Sequence, residues 1–261
     1  MSQKKKAKVK IKIVVKEGKY IVMNKKGDLL HHSIIYKVLS SILYLIAYPI
    51  IFLLTKLWHG LKIEGRENLD KVGDEYITVA NHINMIDCAM ITLSIFPRIP
   101  YFLTLQSNLE IPIIKYLVML LRGIPIPRNK SGKEKMINTI DGLLKKGEVV
   151  GIYPEGELIP YYEGIREFKN GAFNFAVKNQ VPILPIVFTY REPEGIIRFI
   201  KKKPFITLTI LEPEFPRAEK TMANVVELKN RVQRKMSLEG RMKKLYNEGY
   251  KRDTEMQEEN V

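Results

Sequence analysis

From residue 60 onward the chain alternates short apolar runs with stretches of helical period. Runs at 76–80, 101–105, 149–153, 183–189 and 205–211 are five to seven residues long, the size of buried strands. Between and after them, segments 87–95, 113–121, 133–146, 171–179 and 222–235 carry apolar residues at helical spacing. Such alternation predicts an α/β fold: a mostly parallel sheet flanked by helices. Upstream, residues 8–15 alternate charged and apolar positions, Glu17 and Gly18 offer a turn, and residues 20–23 suit a second strand, which predicts a small basic β-hairpin. The stretch 251–261 is polar and is expected to fray.

The longest apolar segment breaks this rhythm. Residues 38–55 hold no charged side chain. As a helix they would extend about 27 Å, close to the thickness of a hydrocarbon core. Pro49 is expected to kink that helix. A core helix is usually apolar on one stripe only, whereas this one is apolar nearly all round. Lysines flank it on both sides, which disfavours a simple span under the positive-inside tendency. The expected arrangement is a helical segment attached to the cytoplasmic face of the cell membrane, monotopic or as a single shallow span.

Charge strengthens that picture. The formal net charge is +15, and the first 28 residues contribute ten Lys against Glu17 and Asp28. A chain of this kind favours anionic partners, here an anionic membrane surface. No zinc-finger spacing or aromatic RNA-binding signature points to nucleic acid, so none is expected as a partner. Cys88 is the one cysteine, which excludes an intramolecular disulfide and a cysteine-based zinc site. His31, His32 and His59 have no acidic or thiol partners at ligand spacing, and no metal or cofactor is expected.

Candidate chemistry sits where strands end. Asn81-His82-Ile83-Asn84-Met85-Ile86-Asp87 follows the first apolar run. Five positions apart on one helix, His82 and Asp87 would point about 140° away from each other. They meet only if His82 lies in the turn and Asp87 opens the next helix. Paired, the carboxylate would fix the imidazole tautomer and make His82 a general base toward a hydroxyl. Unpaired, they are a loop histidine and a helix-start acid. Gly123-Ile124-Pro125-Ile126-Pro127-Arg128 is a proline-stiffened segment ending in a cation able to grip phosphate, or simply a surface arginine. Tyr153-Pro154-Glu155-Gly156 closes another strand, where a glycine N–H could approach an oxyanion or merely make a turn. Val181-Pro182-Ile183-Leu184-Pro185-Ile186 suits an apolar wall or plain core.

In this order and spacing, the four segments resemble the four blocks of the PlsC-like glycerolipid acyltransferases. Phe168-Lys169-Asn170-Gly171-Ala172 resembles that family's link between its third and fourth blocks. The resemblance covers roughly residues 61–211. It implies transfer of a fatty acyl group from a thioester, acyl-CoA or acyl-acyl carrier protein, to the hydroxyl of a lysophospholipid. The typical acceptor is 1-acyl-glycerol 3-phosphate and the product phosphatidic acid. It makes His82 and Asp87 catalytic, and places Asn81, Gly123, Arg128, Glu155, Gly156 and Lys169 at the substrate, with Arg128 on the acceptor phosphate. The chain is then expected to divide into a basic extension (1–33), a membrane-attached helix (34–59), an acyltransferase domain (60–245) and a polar tail (246–261).

Two departures concern phosphate. Glu157 and Leu158 stand where the family's third block has Thr and Arg, and a lysine common before the second block is missing near Gln106. Lys115, Arg122, Arg166 and Lys169 are the cations at hand to compensate. The departures leave open an acceptor lacking phosphate. A silent lipid-binding module is the reading of another class.

Overall fold

The computed structural model describes residues 13–16, 19–22, 34–109, 118, 121–193 and 203–258, with side chains described from 38 to 245 within them. The helix expected at 113–121, with Lys115 in it, falls almost wholly outside the described residues, as do residues 1–12.

Two compact units share the chain: residues 1–44 with 103–140, and residues 45–102 with 141–261. Residues 103–140, which carry the second motif, belong to the first unit, and the first, third and fourth motifs to the second.

In the first unit, β1 (Ile13–Lys16) and β2 (Lys19–Val22) form an antiparallel hairpin with Lys16 opposite Lys19. This unit also holds the end of β5 (Tyr101–Leu105), then β6 (Gly123–Ile126) and most of α3 (Lys130–Leu144). The segment containing Pro125 is thus a strand, at the edge of its sheet as a residue without a donor N–H requires. Helix α1 (Ile34–His59) starts in the first unit and ends in the second. It runs as one helix through Pro49. Over Val38–His59 its mean hydropathy is 2.2, long and apolar enough to cross a membrane. Leu45, Ile46, Leu53, Leu57 and Trp58 are all more than half exposed, while Tyr48 and Ile51 pack on the core.

The second unit carries the sheet β3-β9-β8-β4-β7-β5, from β3 (Lys62–Glu64), β9 (Phe205–Ile210), β8 (Ile183–Arg191), β4 (Ile77–Ala80), β7 (Val150–Ile152) and the start of β5. All pairings there are parallel except β8 with β9. Every residue of β4 is buried, as a strand with β7 on one side and β8 on the other requires. The turn after β4 therefore lies at the carboxyl end of the sheet's interior, where open α/β sheets build sites. Helix α2 (Asp87–Ile95) follows that turn and buries Met90, Ile91, Leu93 and Ile95. Each such burial contributes about 2 kcal/mol, enough to pin the helix start in place. Helix α4 (Gly171–Asn179) buries Ala172, Phe173, Ala176 and Val177 at helical spacing.

The last helix, α5 (Met222–Glu258), is far longer than the apolar pattern predicts. Val225, Leu228, Val232 and Met236 are buried, and there the buried stripe ends. Helix continues through a Lys- and Glu-rich stretch of good helix formers, supported by pairs such as Glu239–Lys243. Of the stretch expected to fray, residues 251–258 are helix, and 259–261 lie outside the described residues.

Candidate active site

Asp87 is the first residue of α2, and its carboxylate folds back over the preceding turn. One oxygen, Oδ2, accepts the backbone N–H groups of Ile83 at 2.7 Å and Asn84 at 2.8 Å. Asn84 closes the turn from its own side: its carbonyl accepts the Asp87 N–H, and its side-chain oxygen accepts the Ile86 N–H at 3.2 Å. The same Oδ2 lies 3.0 Å from Nδ1 of His82. The two side chains thus meet from a turn and a helix start.

An ionised carboxylate only accepts hydrogen bonds, so Nδ1 carries the proton and Nε2 keeps its lone pair. The Asp87 side chain is fully buried and that of His82 is 23% exposed. The carboxylate is sealed while the imidazole reaches outward. Burial pushes the Asp87 carboxyl above its ordinary value, and its hydrogen bonds to His82, Asn84 and Ile83 oppose that shift. The His82 ring lies flat on Tyr153, with centroids 3.9 Å apart at 11°. Burial holds the Tyr153 phenol well above its usual value, so this plate stays neutral.

A second carboxylate braces the turn from its other side. Glu155 is buried, with one oxygen accepting the His82 backbone N–H at 3.1 Å. Arg166 holds the rest: its Nε and Nη2 bond Glu155 Oε2 at 3.0 and 2.6 Å, and its backbone N–H bonds Oε1 at 2.9 Å. The guanidinium also reaches the Glu157 carbonyl and sits 5.6 Å from the Tyr162 ring centre. The loop between Glu155 and Arg166 is tied to the histidine turn by Ile159 N–H to the His82 carbonyl at 3.2 Å and Tyr161 N–H to the Ile83 carbonyl at 3.3 Å.

The other residues expected at the substrate have the following partners within the protein. Asn81 is buried, and its amide donates to the Phe188 carbonyl at 3.0 Å and accepts the Phe188 N–H at 2.8 Å. It clamps the end of β4 to β8. Glu155 is spent on His82 and Arg166 and acts through the backbone of the histidine. The Gly156 N–H donates to the Tyr153 carbonyl at 3.1 Å, so it is not a spare oxyanion donor. Glycine is needed there because φ is +85° and a side chain would meet the Lys169 ammonium. Lys169 itself is exposed, its N–H bonded to the Pro154 carbonyl. In the first unit, Gly123 is buried and a Cβ there would lie 2.4 Å from Val118, so its smallness serves packing. Arg128 is exposed and, among the described residues, has no ion-pair partner.

Arg166 and Tyr153 are the residues whose roles the sequence does not reveal. Arg166 is eleven positions from its carboxylate, and only the fold of the loop brings it back. Tyr153 reads as a strand-end aromatic until His82 is seen lying on it. Among the described residues, no group of three or more His, Cys, Asp or Glu could hold a metal ion.

Comparison with known proteins adds the following. The family model described as Acyltransferase matches residues 60–189. The chain is 29% identical over 143 residues to the chloroplastic 1-acyl-sn-glycerol-3-phosphate acyltransferase LPAT1 of Arabidopsis thaliana, covering 51% of this chain and 39% of that protein. It is 32% identical over 133 residues to the 1-acyl-sn-glycerol-3-phosphate acyltransferase of Escherichia coli, covering 49% and 52%. The Bacillus subtilis enzyme of the same name is 25% identical over 147 residues, covering 55% of this chain and 68% of that one. The chain thus spans about 40% of the length of the plant relative. In structure it is similar to the 1-acyl-sn-glycerophosphate acyltransferase PlsC of Thermotoga maritima, with a TM-score of 0.51 at 23% identity over 77% of this chain and 78% of that one, a likeness of fold.

Proposed function

We propose, from the premise that this chain belongs to the acyltransferase family through residues 60–189, that it moves a fatty acyl group from a thioester to a lipid hydroxyl. The observation that carries this reading is the 3.0 Å contact between His82 Nδ1 and the buried Asp87. With Nδ1 protonated, Nε2 takes the proton of the acceptor hydroxyl as the oxygen attacks the thioester carbonyl. A C–O bond forms, the tetrahedral oxyanion collapses, and the C–S bond breaks. The imidazolium, stabilised by Asp87, returns its proton to the departing thiolate. The ester and a free thiol are the products, and the imidazole is restored.

The relatives' names favour 1-acyl-glycerol 3-phosphate as acceptor and phosphatidic acid as product. Acyl-CoA or acyl-acyl carrier protein would be the donor; the excess of basic residues favours encounter with an acidic carrier. Arg128, exposed and unpaired among the described residues, would take the acceptor phosphate. The imidazole supplies the base, so the mechanism uses no metal or cofactor. The exposed apolar length of α1 would hold the enzyme at the cytoplasmic face of the cell membrane, beside its lipid acceptor. The second reading, an acceptor without phosphate, is favoured by Leu158 standing where a cation is expected.

Incubating the purified chain in lipid vesicles with acyl-CoA or acyl-acyl carrier protein and a panel of lyso-acceptors tests this, with product lipids read by mass spectrometry. Phosphatidic acid is the expected main product. Equal turnover of acceptors lacking phosphate would overturn the acceptor, and no acylated product from any pair would overturn the function.

A further inference from the structure

One cavity has no part in the proton transfer. It encloses about 560 Å³ between the far half of β8, the loop around Tyr162 and helix α5. That volume is in the range of small-ligand sites. Val187, Phe188 and Pro204 give it an apolar side, and Arg191, Arg241 and Lys244 bring three cations to it against the carboxylates of Glu163 and Glu192. Its walls are also the supports of the catalytic turn. Phe188 is the residue that Asn81 clamps. Tyr190 stacks on Tyr161 at 6.1 Å, and the Tyr161 N–H holds the Ile83 carbonyl next to His82. Tyr162 lies under the Arg166 guanidinium.

Two of the three cations are engaged: Lys244 pairs with Glu163 at 2.9 Å, and Arg191 donates to the Gly60 carbonyl. Arg241 has no hydrogen-bond or ion-pair partner among the described residues and is exposed. Arg234 is likewise exposed and unpaired, and it lines the neighbouring hollow together with Arg241 and Ser237. Seven helical positions bring the two arginines to within about 20° of one face, about 10 Å apart along the axis. A guanidinium without a carboxylate suits the forked grip of a phosphate.

Resting on the acyl-transfer reading, we propose that Arg241, assisted by Arg234, binds a substrate phosphate at the rim of this cavity, with the apolar side taking the adjoining carbon chain. Two phosphates are of the right chemistry: the headgroup of the acceptor and the nucleotide phosphates of a CoA donor. The arms of the experiment separate them.

The full chain and the Arg234→Ala/Arg241→Ala double variant are assayed with lysophosphatidate against monoacylglycerol, and with acyl-CoA against acyl-pantetheine. The ratio of kcat/KM for the phosphate-bearing over the phosphate-free substrate is expected to fall about tenfold in one arm, the loss of one charge-assisted contact. Arg241→Lys should restore part of it. Both residues are exposed, so the variants should fold, which circular dichroism checks. In parallel, CoA and short-chain lysophosphatidate are titrated onto a His82→Ala background, where binding is read without turnover. A fall in the acceptor arm assigns the headgroup, and one in the donor arm assigns the nucleotide. Unchanged ratios in both arms, with unchanged titrations, overturn the subsite while leaving acyl transfer intact. A wild-type chain that transfers no acyl group overturns the parent reading instead.

Discussion

Replacing Asp87 with Asn removes a charge and little volume, and its consequences can be followed bond by bond. Oδ2 of Asp87 accepts three donors: the Ile83 and Asn84 N–H groups and the His82 ring. Oδ1 is buried with no partner among the described residues. If the Asn oxygen takes the Oδ2 place, the turn keeps its two N–H bonds. The new NH2 group is then buried without an acceptor, a cost of about 1–3 kcal/mol. Part is offset because the charge that burial disfavours is gone. If the amide flips, its NH2 faces Nδ1, and the imidazole must carry its proton on Nε2, where it cannot act as base. Either way the forming imidazolium loses its counter-charge. The expected result is a folded protein with kcat lowered by ~10²–10⁴, the range for losing general-base assistance, and KM nearly unchanged. Thiol release from the acyl thioester measures the rate, and a thermal melt measures stability.

The pH dependence of that stability has a defined sign. The folded Asp87 carboxyl lies above its ordinary 3.8, so the native state holds the proton more tightly than the unfolded chain does. Between 3.8 and the raised folded value, increasing pH therefore lowers wild-type stability, and the loss is complete above the folded value. The Asn variant lacks this dependence, so the stability gap should shift in its favour as pH rises through the acid range. A variant that keeps the wild-type rate within about threefold would refute the role given to Asp87.

Other perturbations separate the supports of the turn. Arg166→Ala leaves Glu155 buried without its partner and should cost about 3–5 kcal/mol in denaturant unfolding, whereas Glu155→Gln with Arg166 kept should cost less. Equal small effects from both would show that the pair does not brace His82. Asn81→Ala strands the buried Phe188 N–H and carbonyl, and should lower stability by about 2–4 kcal/mol in the same assay. Burial and the nearby Asp87 charge push the Cys88 thiol up to about 11 from 9.0. At pH 8, alkylation of the native protein by iodoacetamide should then run about a hundredfold slower than that of the unfolded chain, and rise with pH. Equal rates would mean that the thiol is not shielded.

How much of this is legible in the sequence depends on the range of the interaction. Strand β5 and helices α2 and α4 match their apolar periods residue for residue, because their burial is local and regular. The meeting of His82 with Asp87 is legible too, since a turn followed by a helix start is the one local geometry that joins residues five apart. Strand β6 is missed because prolines speak against regular structure everywhere except a sheet edge. The full extent of α5 is missed because helix past Met236 rests on propensity and ion pairs, which leave no apolar stripe. The roles of Asn81, Glu155 and Arg166 are hidden for another reason. Their partners lie far along the chain or on backbone atoms, and a motif names a residue without saying which way its side chain turns. The motif does not show that Asn81 clamps a strand 107 residues away in sequence.

The central claim is that the His82 imidazole takes the proton from the attacking hydroxyl. Steady-state acyl transfer by His82→Ala, compared with wild type at equal membrane content, tests it most directly. A loss of at least about a hundredfold in kcat, with the fold intact by circular dichroism, is the result this mechanism predicts. A variant that transfers acyl groups at the wild-type rate would contradict it.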